Sequence, residues 1–437
     1  MSLGLLGFIF FIGMLFAIFL GLPVSIALAI VGLLGLLYVG GVNTVIIMSG
    51  TTAVHELSHF NLLAIPLFML MSSAITASGI GNTIVDFVVK WLHRIPGALH
   101  SAAVISCGIF AAMSSSSVAT AAAVGGFILP EMRKRGHNMR LGIGAVAVGG
   151  TLGMLIPPSN LFIVYGVMTE TSISKLFMAG IVPGIMVVVV VVLFNTILFK
   201  MVPSLTPSAE YEHVPSKAEK MLALRNAWTG LLLITTVVGG IIFGVVTPTE
   251  AGGLGAVVAL LIGFFVLKTI KGKDLPDILV QAVRTTSMLG FIIFSGLILA
   301  RASTMMNLSS SVINLVQDTG LEPWQVMLII NILLLLLGTF MDGAAITIMT
   351  VPLLVPLVVA MGYDPIWFAV VFAINMELAL VSPPVGLNIF VLQGVSGVPL
   401  RDAMIGTLPY ALLLLGCLII LMIFPQIALW LPTVMSN

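Results

Sequence analysis

The chain has 437 residues, of which 59% are hydrophobic and only 8% are charged, and its mean hydropathy is +1.23. Soluble proteins carry about a quarter charged residues, so this composition predicts a membrane protein. The net charge of +1 excludes the strongly basic surface that is typical of nucleic-acid binding. Cys107 and Cys417 both lie in apolar stretches, so neither indicates a disulfide framework.

The first two apolar segments are predicted membrane crossings. Residues 3–20 carry no basic n-region and no evident cleavage site, so they are interpreted as a retained helix rather than a signal peptide. Residues 24–39 are predicted to cross the membrane a second time. The more polar stretch 40–60 is expected to form a loop outside the cytoplasm.

This loop contains a motif that favours a different class of protein. The sequence His55-Glu56-Leu57-Ser58-His59 fits the H-E-x-x-H pattern, which on a helix places two zinc ligands one turn apart with a general base between them. With Asp342 as third ligand, it would describe an intramembrane metalloprotease. This alternative is the weaker one, because the motif lies in a predicted loop and short motifs also match by chance.

A re-entrant hairpin is predicted at about 96–132. Two apolar runs, each too short to span a membrane, flank the polar stretch 113–120. Irregular backbone at membrane depth survives only where protein or a water-filled cavity satisfies it. The serines at 114–117 are therefore predicted to form a functional tip. The alternative is that these serines only allow close helix packing.

The next predicted helix, 141–169, contains Pro157-Pro158-Ser159-Asn160. Proline removes a backbone donor and clashes with the preceding turn, so the helix should break there. The freed carbonyl groups suit a hard cation such as sodium. The half-helix after the break directs its positive end towards the same place, which suits an anion. The alternative is a purely structural kink.

Basic residues predict which side of the membrane is cytoplasmic. The three basic clusters lie at 133–140, 200–225 and 268–273. The second cluster covers most of a polar linker at 204–226, in which 218–225 is interpreted as an amphipathic helix on the cytoplasmic surface. Counting crossings from these clusters places the loop at 361–365 outside.

The second half contains a hairpin predicted at about 324–360 and a broken helix predicted at 366–398. The hairpin tip is Gly338-Thr339-Phe340-Met341-Asp342-Gly343, and the break is Ser382-Pro383-Pro384-Val385-Gly386-Leu387-Asn388. An intramembrane acid indicates function, so Asp342 is predicted to complete a sodium site. Glu377 is interpreted as a further ligand, as a partner of the unwound backbone, or as a buried protonated structural acid.

The two halves repeat at a fixed offset of 226 residues. Coinciding pairs include Leu152/Leu378, Pro157/Pro383, Pro158/Pro384, Gly180/Gly406 and Pro183/Pro409. The charge pattern makes the first hairpin enter from the cytoplasm and the second from outside, so we expect inverted repeats with both termini outside. The predicted class is an all-α polytopic membrane protein with repeats 1–203 and 227–437 joined by the linker 204–226. Matching breaks in two halves are the best sequence indication of a transport site.

Several of these stretches resemble the large membrane subunit of the tripartite ATP-independent periplasmic (TRAP) transporters. The matching stretches are 114–137, 149–167, 172–185, 341–356 and 382–391. The resemblance implies an elevator-type fold similar to the ion transporter superfamily, in which a transport domain slides against a scaffold. It also implies sodium-driven uptake across the bacterial inner membrane, a periplasmic substrate-binding protein and a small four-helix membrane subunit. Substrates of the family are small organic acids, including carboxylates and sulfonates.

The resemblance also implies ligand positions, with at least two sodium sites, no other metal and no catalytic residue. The implied sodium positions are Ser115, Ser116, Ser117, Gly149, Gly150, Thr151 and Pro157, then Gly338, Thr339, Asp342, Gly343, Asn375, Ser382 and Pro383. The predicted substrate positions at the tips and breaks are Ser116, Pro158, Ser159, Asn160, Pro384, Gly386 and Asn388. Arg301 is added because it lies near the exterior end of its helix and its charge would attract anions, although snorkelling to the membrane interface is its favoured role.

The main rival function is a sodium–dicarboxylate symporter that works without a binding protein. A channel is less favoured, because paired broken helices suit alternating access better than a continuous pore. Whether uptake requires an added binding protein separates the two transporter types.

Overall fold

The computed structural model describes residues 3–56, 58–205, 214–382 and 386–435, and in these ranges the regular structure is helical, without β-strands. The helices of the first half are α1 (Leu3–Phe19), α2 (Val24–Thr51), α3 (Ala64–Ser78), α4 (Ile80–Leu92), α5 (Ala98–Ser114), α6 (Ser117–Lys134), α7 (Met139–Thr151), α8 (Asn160–Thr169) and α9 (Ile173–Met201). Those of the second half are α10 (Lys217–Ile234), α11 (Gly240–Ile242), α12 (Pro248–Leu261), α13 (Leu275–Met305), α14 (Leu308–Asp318), α15 (Pro323–Gly338), α16 (Gly343–Ala360), α17 (Pro365–Val381), α18 (Leu387–Ser396), α19 (Leu400–Ile423) and α20 (Gln426–Met435).

Among the described residues, eight helical segments are long and apolar enough to cross a membrane, by length and composition. These segments are Val24–Val54, Phe60–Ser78, Ile173–Met201, Lys217–Ile242, Pro248–Val266, Gly272–Met305, Gly343–Ala360 and Leu400–Ile423. The helices α5, α7, α8, α15, α17 and α18 are apolar but shorter. On the long helix α9, large apolar side chains such as Leu193 and Ile197 are more than half exposed, as expected where lipid replaces water.

The prediction of a loop at 40–60 is wrong for most of its length. Helix α2 continues to Thr51 with one non-helical residue, Gly41, at φ 71°. A π-helical turn, Thr52–Glu56, follows directly. The stretch 42–48 is mostly apolar and can continue a membrane helix, which the few polar residues around it obscured. Leu57 lies outside the described residues.

The linker also differs from its prediction. Residues 206–213 lie outside the described residues, and α10 begins at Lys217. A capping box starts this helix, since Ser216 N donates to Glu219 Oε2 at 2.7 Å and Glu219 N donates to Ser216 Oγ at 3.1 Å. The stretch 218–225 is therefore the first part of a long helical segment that reaches Ile242, not a separate surface helix.

Two amphipathic helices, α4 and α14, precede the paired helices α5–α6 and α15–α16. In α4 the apolar residues Ile80, Ile84, Val85 and Val88 are buried and follow helical spacing. Helix α4 packs against both α10 and α5. It therefore connects the long membrane helices to the first hairpin.

Two pairs of helix starts coincide at the 226-residue offset. Helices α6 and α16 begin at Ser117 and Gly343, and α7 and α17 begin at Met139 and Pro365. The halves also interlock, because α8 packs on α16 and α18 packs on α6. Helices α7 and α19 are in backbone contact, since a Cβ on Gly144 would lie 2.2 Å from Gly406 O.

Candidate functional site

The first hairpin tip is a two-residue turn between α5 and α6. Ser115 has φ 49° in the left-handed region and is buried. Ser116 caps α6, because its Oγ accepts a hydrogen bond from Ala119 N at 3.3 Å. Within the described residues, Ser115 Oγ is buried without a hydrogen-bond partner, so this hydroxyl is available to a ligand.

The last turn of α7 lies directly against this tip. Ser117 Oγ donates to Thr151 O at 3.0 Å, and Thr151 Oγ1 donates to Val148 O at 2.7 Å. A Cβ on Gly149 would lie 2.9 Å from Cys107 Cβ, and one on Gly150 would lie 2.6 Å from Ala121 Cβ. Only glycine allows both hairpin helices to approach α7 this closely.

The interruption between α7 and α8 is held by side-chain hydrogen bonds. A 3₁₀ turn, Leu152–Met154, ends α7, and Pro157 and Pro158 are joined by a cis peptide bond. Ser159 Oγ donates to Met154 O at 2.5 Å and accepts from Phe162 N at 3.5 Å, which caps α8. Asn160 Nδ2 donates to Ser115 O at 3.2 Å. The first break and the first tip are thus in direct contact.

The second hairpin tip joins α15 to α16. Thr339 Oγ1 donates to Leu336 O at 2.7 Å, and Asp342 caps α16, its Oδ2 accepting from Ala344 N at 3.0 Å. A Cβ on Gly338 would lie 2.4 Å from Ala379 Cβ in α17. A Cβ on Gly343 would lie 3.0 Å from Met154 Cε. This tip therefore meets both α17 and the break of the other half.

Asn375 lies deeper, in the middle of α17. Its Nδ2 donates to Asn331 Oδ1 of α15 and, at 2.9 Å, to Val371 O. Asn331 is not among the residues predicted from the sequence, although a single amide in the apolar run 328–337 is an available signal. Among the described residues, Asn375 Oδ1 and both carboxyl oxygens of the fully buried Glu377 have no hydrogen-bond partner.

The residues that flank the second break, between α17 and α18, are held by hydrogen bonds. Ser382 Oγ donates to Leu378 O at 2.6 Å, and α18 starts after Gly386, which has φ 59°. Asn388 Nδ2 donates to Ala147 O of α7 at 3.2 Å, which ties this break to the first half. The predicted positions Pro383 and Pro384 lie outside the described residues.

Two of the predicted positions lie elsewhere in the fold. Arg301 is on α13, with Nη1 3.7 Å from Met48 Sδ of α2. His59 is exposed next to the turn after α2. Within the described residues, no group of three or more His, Cys, Asp or Glu side chains could hold a metal ion.

The cluster of tips and breaks offers binding groups for two kinds of ion. Helices α6, α8, α16 and α18 all begin here, and helix N-termini favour anions. At the first tip and just after the two breaks, three buried oxygen atoms have no partner within the described residues, namely Ser115 Oγ, Asn160 Oδ1 and Asn388 Oδ1. Oxygen atoms are the ligands that hard cations prefer. The arrangement therefore suits a cation and an anion together.

Comparison with known proteins identifies the family. Residues 11–427 match the family described as "Tripartite ATP-independent periplasmic transporter, DctM component". The C4-dicarboxylate TRAP transporter large permease protein DctM of Pseudomonas aeruginosa is 38% identical over 376 residues, 86% of each chain. The isethionate TRAP transporter permease protein DctMQ of Oleidesulfovibrio alaskensis is 32% identical over 95% of this chain and 65% of its own length.

The fold also matches a solved structure, that of the Alcanivorax borkumensis YdaH transporter. The TM-score is 0.63 at 14% identity, over 89% of each chain. This likeness concerns the fold alone and confirms the predicted all-helical polytopic class. The family consists of transport proteins and not enzymes, which excludes the metalloprotease interpretation of His55, Glu56 and His59. The chain belongs to the DctM family, the large permease components of TRAP transporters.

Proposed function

We propose that this chain couples sodium entry to the uptake of a small organic acid, a carboxylate or a sulfonate, across the bacterial inner membrane. The relatives described above are named for C4-dicarboxylates and for isethionate, which supports this substrate class. Both are small anions, and the helix N-termini at the tips and breaks would attract such a group. The rival is a symporter that acts without a binding protein.

The contact between tips and breaks is the observation that carries the proposal. Asn160 joins the first tip to the first break, and Asn388 joins the second break to α7. Gly343 of the second tip faces Met154 of the first break. Sodium ions would bind where oxygen atoms such as Ser115 Oγ have no protein partner. Asp342 would supply the charged ligand.

The mechanism would be of the elevator type, with inverted repeats at 1–203 and 227–437 and with both termini periplasmic. The recurrence of helix starts at the 226-residue offset supports the repeats. The tight packing of α6, α7, α18 and α19 supports their movement as one body. This body would slide against a scaffold that includes α2, α12 and α13, exposing the site to each side in turn.

Two partners follow from membership of a tripartite family. A periplasmic binding protein would deliver the substrate, and a small four-helix membrane subunit would brace the scaffold. Exposed apolar side chains on α2, such as Ile30 and Leu34, offer surface to that subunit or to lipid. Most of the substrate selectivity would then belong to the binding protein.

The test is uptake into proteoliposomes that contain this chain and the small membrane subunit proposed above. A binding protein loaded with labelled organic acid is added outside, with and without an inward sodium gradient. Uptake that requires both sodium and the binding protein supports the proposal and identifies the substrate. Uptake with sodium alone favours the self-sufficient symporter, and uptake without sodium contradicts both.

A further inference from the structure

A second polar feature lies outside the tips and breaks. A cavity of about 100 Å³ lies between α4, the start of α5 and the loop that joins α6 to α7. Its polar lining is Asp86, Lys90, His93, Arg135 and His137, with Pro215 of the linker also facing it. One buried water needs roughly 10–15 Å³ of such space, so the cavity accommodates an ion of several heavy atoms.

Two histidines in this lining have buried ring nitrogens without a hydrogen-bond partner among the described residues. His137 as a residue is 5% exposed, and within the described residues neither of its ring nitrogens is hydrogen-bonded. His93 Nδ1 lies 3.1 Å from Lys90 O. Among the described residues, its Nε2 is buried without a hydrogen-bond partner. Buried polar groups nearly always have a partner. Both rings line the cavity, so a molecule bound there would provide the missing partners.

The charge around the rings indicates the sign of that molecule. The charged side chains nearby are the pairs Lys90–Asp86 and Arg135–Glu131, each at 2.8 Å, together with Arg94 and Lys220, which act on His93. Four cations against two carboxylates leave an excess of positive charge. An ammonium has three donors and a guanidinium five, so Lys90 and Arg135 keep donors beyond those of their ion pairs.

We propose that this cavity binds a phosphate group, either free inorganic phosphate or the headgroup of a phospholipid. Lysine, arginine and imidazole N–H groups together form charge-assisted hydrogen bonds to tetrahedral oxyanions. An anion in this position contacts α4 and the α6–α7 loop at the same time. It would therefore hold the amphipathic helix α4 against the base of the first hairpin.

The site has a predictable pH dependence. Burial, and then the charge of Arg135, lower the pKa of His137 to about 4. Burial also lowers the pKa of His93. The other titratable group beside His137 is His100, with ring centroids 5.3 Å apart. An anion favours protonated imidazole, so it would bind together with a proton. Affinity should rise as pH falls, by up to about tenfold per pH unit for each proton bound.

The first test is calorimetric titration of the purified full-length protein with sulfate and with inorganic phosphate at about pH 6 and about pH 8, at constant ionic strength. Sulfate keeps its charge over this range, so a pH effect on its affinity arises from the protein. We expect sulfate to bind at least about tenfold more tightly at the lower pH. His137→Gln should remove this difference. His59→Gln, at an exposed position outside the cavity, should bind sulfate like the unmodified protein.

A second variant guards against failure of His137→Gln to fold. Lys90 is 30% exposed, so Lys90→Gln should fold, and it should weaken sulfate binding about fivefold or more at both pH values. Native mass spectrometry after mild delipidation shows whether the bound phosphate group is a phospholipid headgroup or free phosphate. A phospholipid retained by the unmodified protein and lost from Lys90→Gln assigns the site to a headgroup, whereas saturable phosphate binding without retained lipid assigns it to free phosphate. The proposal would be overturned if no oxyanion bound at about pH 6 and no lipid were retained in a way that depends on these residues.

Discussion

The two hairpin tips occupy matching positions in the two halves, yet they differ in charge and exposure. In the first tip, Ser116 caps α6 with a neutral hydroxyl, and Ser115 beside it is buried. In the second tip, Asp342 caps α16 with a carboxylate and is exposed. The backbone plan is therefore repeated, while the chemistry at the helix start is not.

The difference in charge determines which ligand atoms each tip can offer to a cation. A cation beside Ser115 or Ser116 would meet only hydroxyl and carbonyl dipoles. A cation beside Asp342 would also meet a full negative charge, whose attraction is stronger at short range and low dielectric. Loss of the one carboxylate should therefore affect sodium binding more than loss of any single neutral ligand.

Asp342→Asn is expected to have the largest effect. Asparagine is also a good helix cap, so the substitution removes the charge and keeps the fold. We expect the sodium concentration for half-maximal uptake to rise about 30-fold, or about 2 kcal/mol, because interactions with charged groups contribute about 1.5–3 kcal/mol. Ser116→Asn at the matching cap is the control, and it should change the sodium concentration for half-maximal uptake much less. Unchanged sodium dependence in Asp342→Asn would rule out this carboxylate as a ligand.

Packing of the two hairpins is expected to be more alike than their chemistry. Gly150→Ala would bring a Cβ to 2.6 Å from Ala121 Cβ, and Gly338→Ala would bring one to 2.4 Å from Ala379 Cβ. Each should lower the free energy of unfolding by on the order of 1 to 2 kcal/mol, measured by thermal denaturation of the purified protein. Gly416→Ala, with nothing within 4 Å of the added Cβ, should not be destabilised. Destabilisation in only one hairpin would show that the halves pack differently.

The asparagines after the two breaks should give the smallest effects. Asn160 bonds within its own half, to Ser115 O, whereas Asn388 bonds across the halves, to Ala147 O. Replacing either by alanine removes one hydrogen bond of about 1 kcal/mol, so uptake at limiting sodium should fall about fivefold. Asn82→Ala, at an exposed position in α4, is the control. Equal losses in Asn82→Ala and Asn388→Ala would mean that the bond to Ala147 is not needed for uptake.

Local features of this fold could be predicted from the sequence, because proline, glycine and serine act on the backbone near them. The sequence predicts interruptions at 114–117 and 157–160, and helices begin at Ser117 and Asn160. The same reasoning failed at 42–56, where a few polar residues suggested a loop in a stretch that is apolar enough to stay helical.

Contacts between distant segments could not be predicted. Arg133 Nη2 donates to Ser396 O at the end of α18, and Arg140 pairs with Asp402 at 2.8 Å. Nothing in either local sequence names its partner, because both contacts depend on how α6, α7, α18 and α19 pack. The same holds for Asn331, whose role is visible only through Asn375. Helix starts are thus encoded locally, while the pairing of helix ends is a property of the assembled bundle.

The packing of α8 on α16, and of α18 on α6, also affects how the chain is assembled during its synthesis. Helix α8 ends at Thr169, but its partner α16 begins only at Gly343. A ribosome that feeds this chain into the membrane must synthesise the second hairpin before α8 can complete its packing. Until then the short apolar helix α8 lacks its packing partner α16. Large proteins in such partly packed states are prone to misassembly. The first half of the chain is therefore expected to depend on the membrane insertion machinery until the second half arrives.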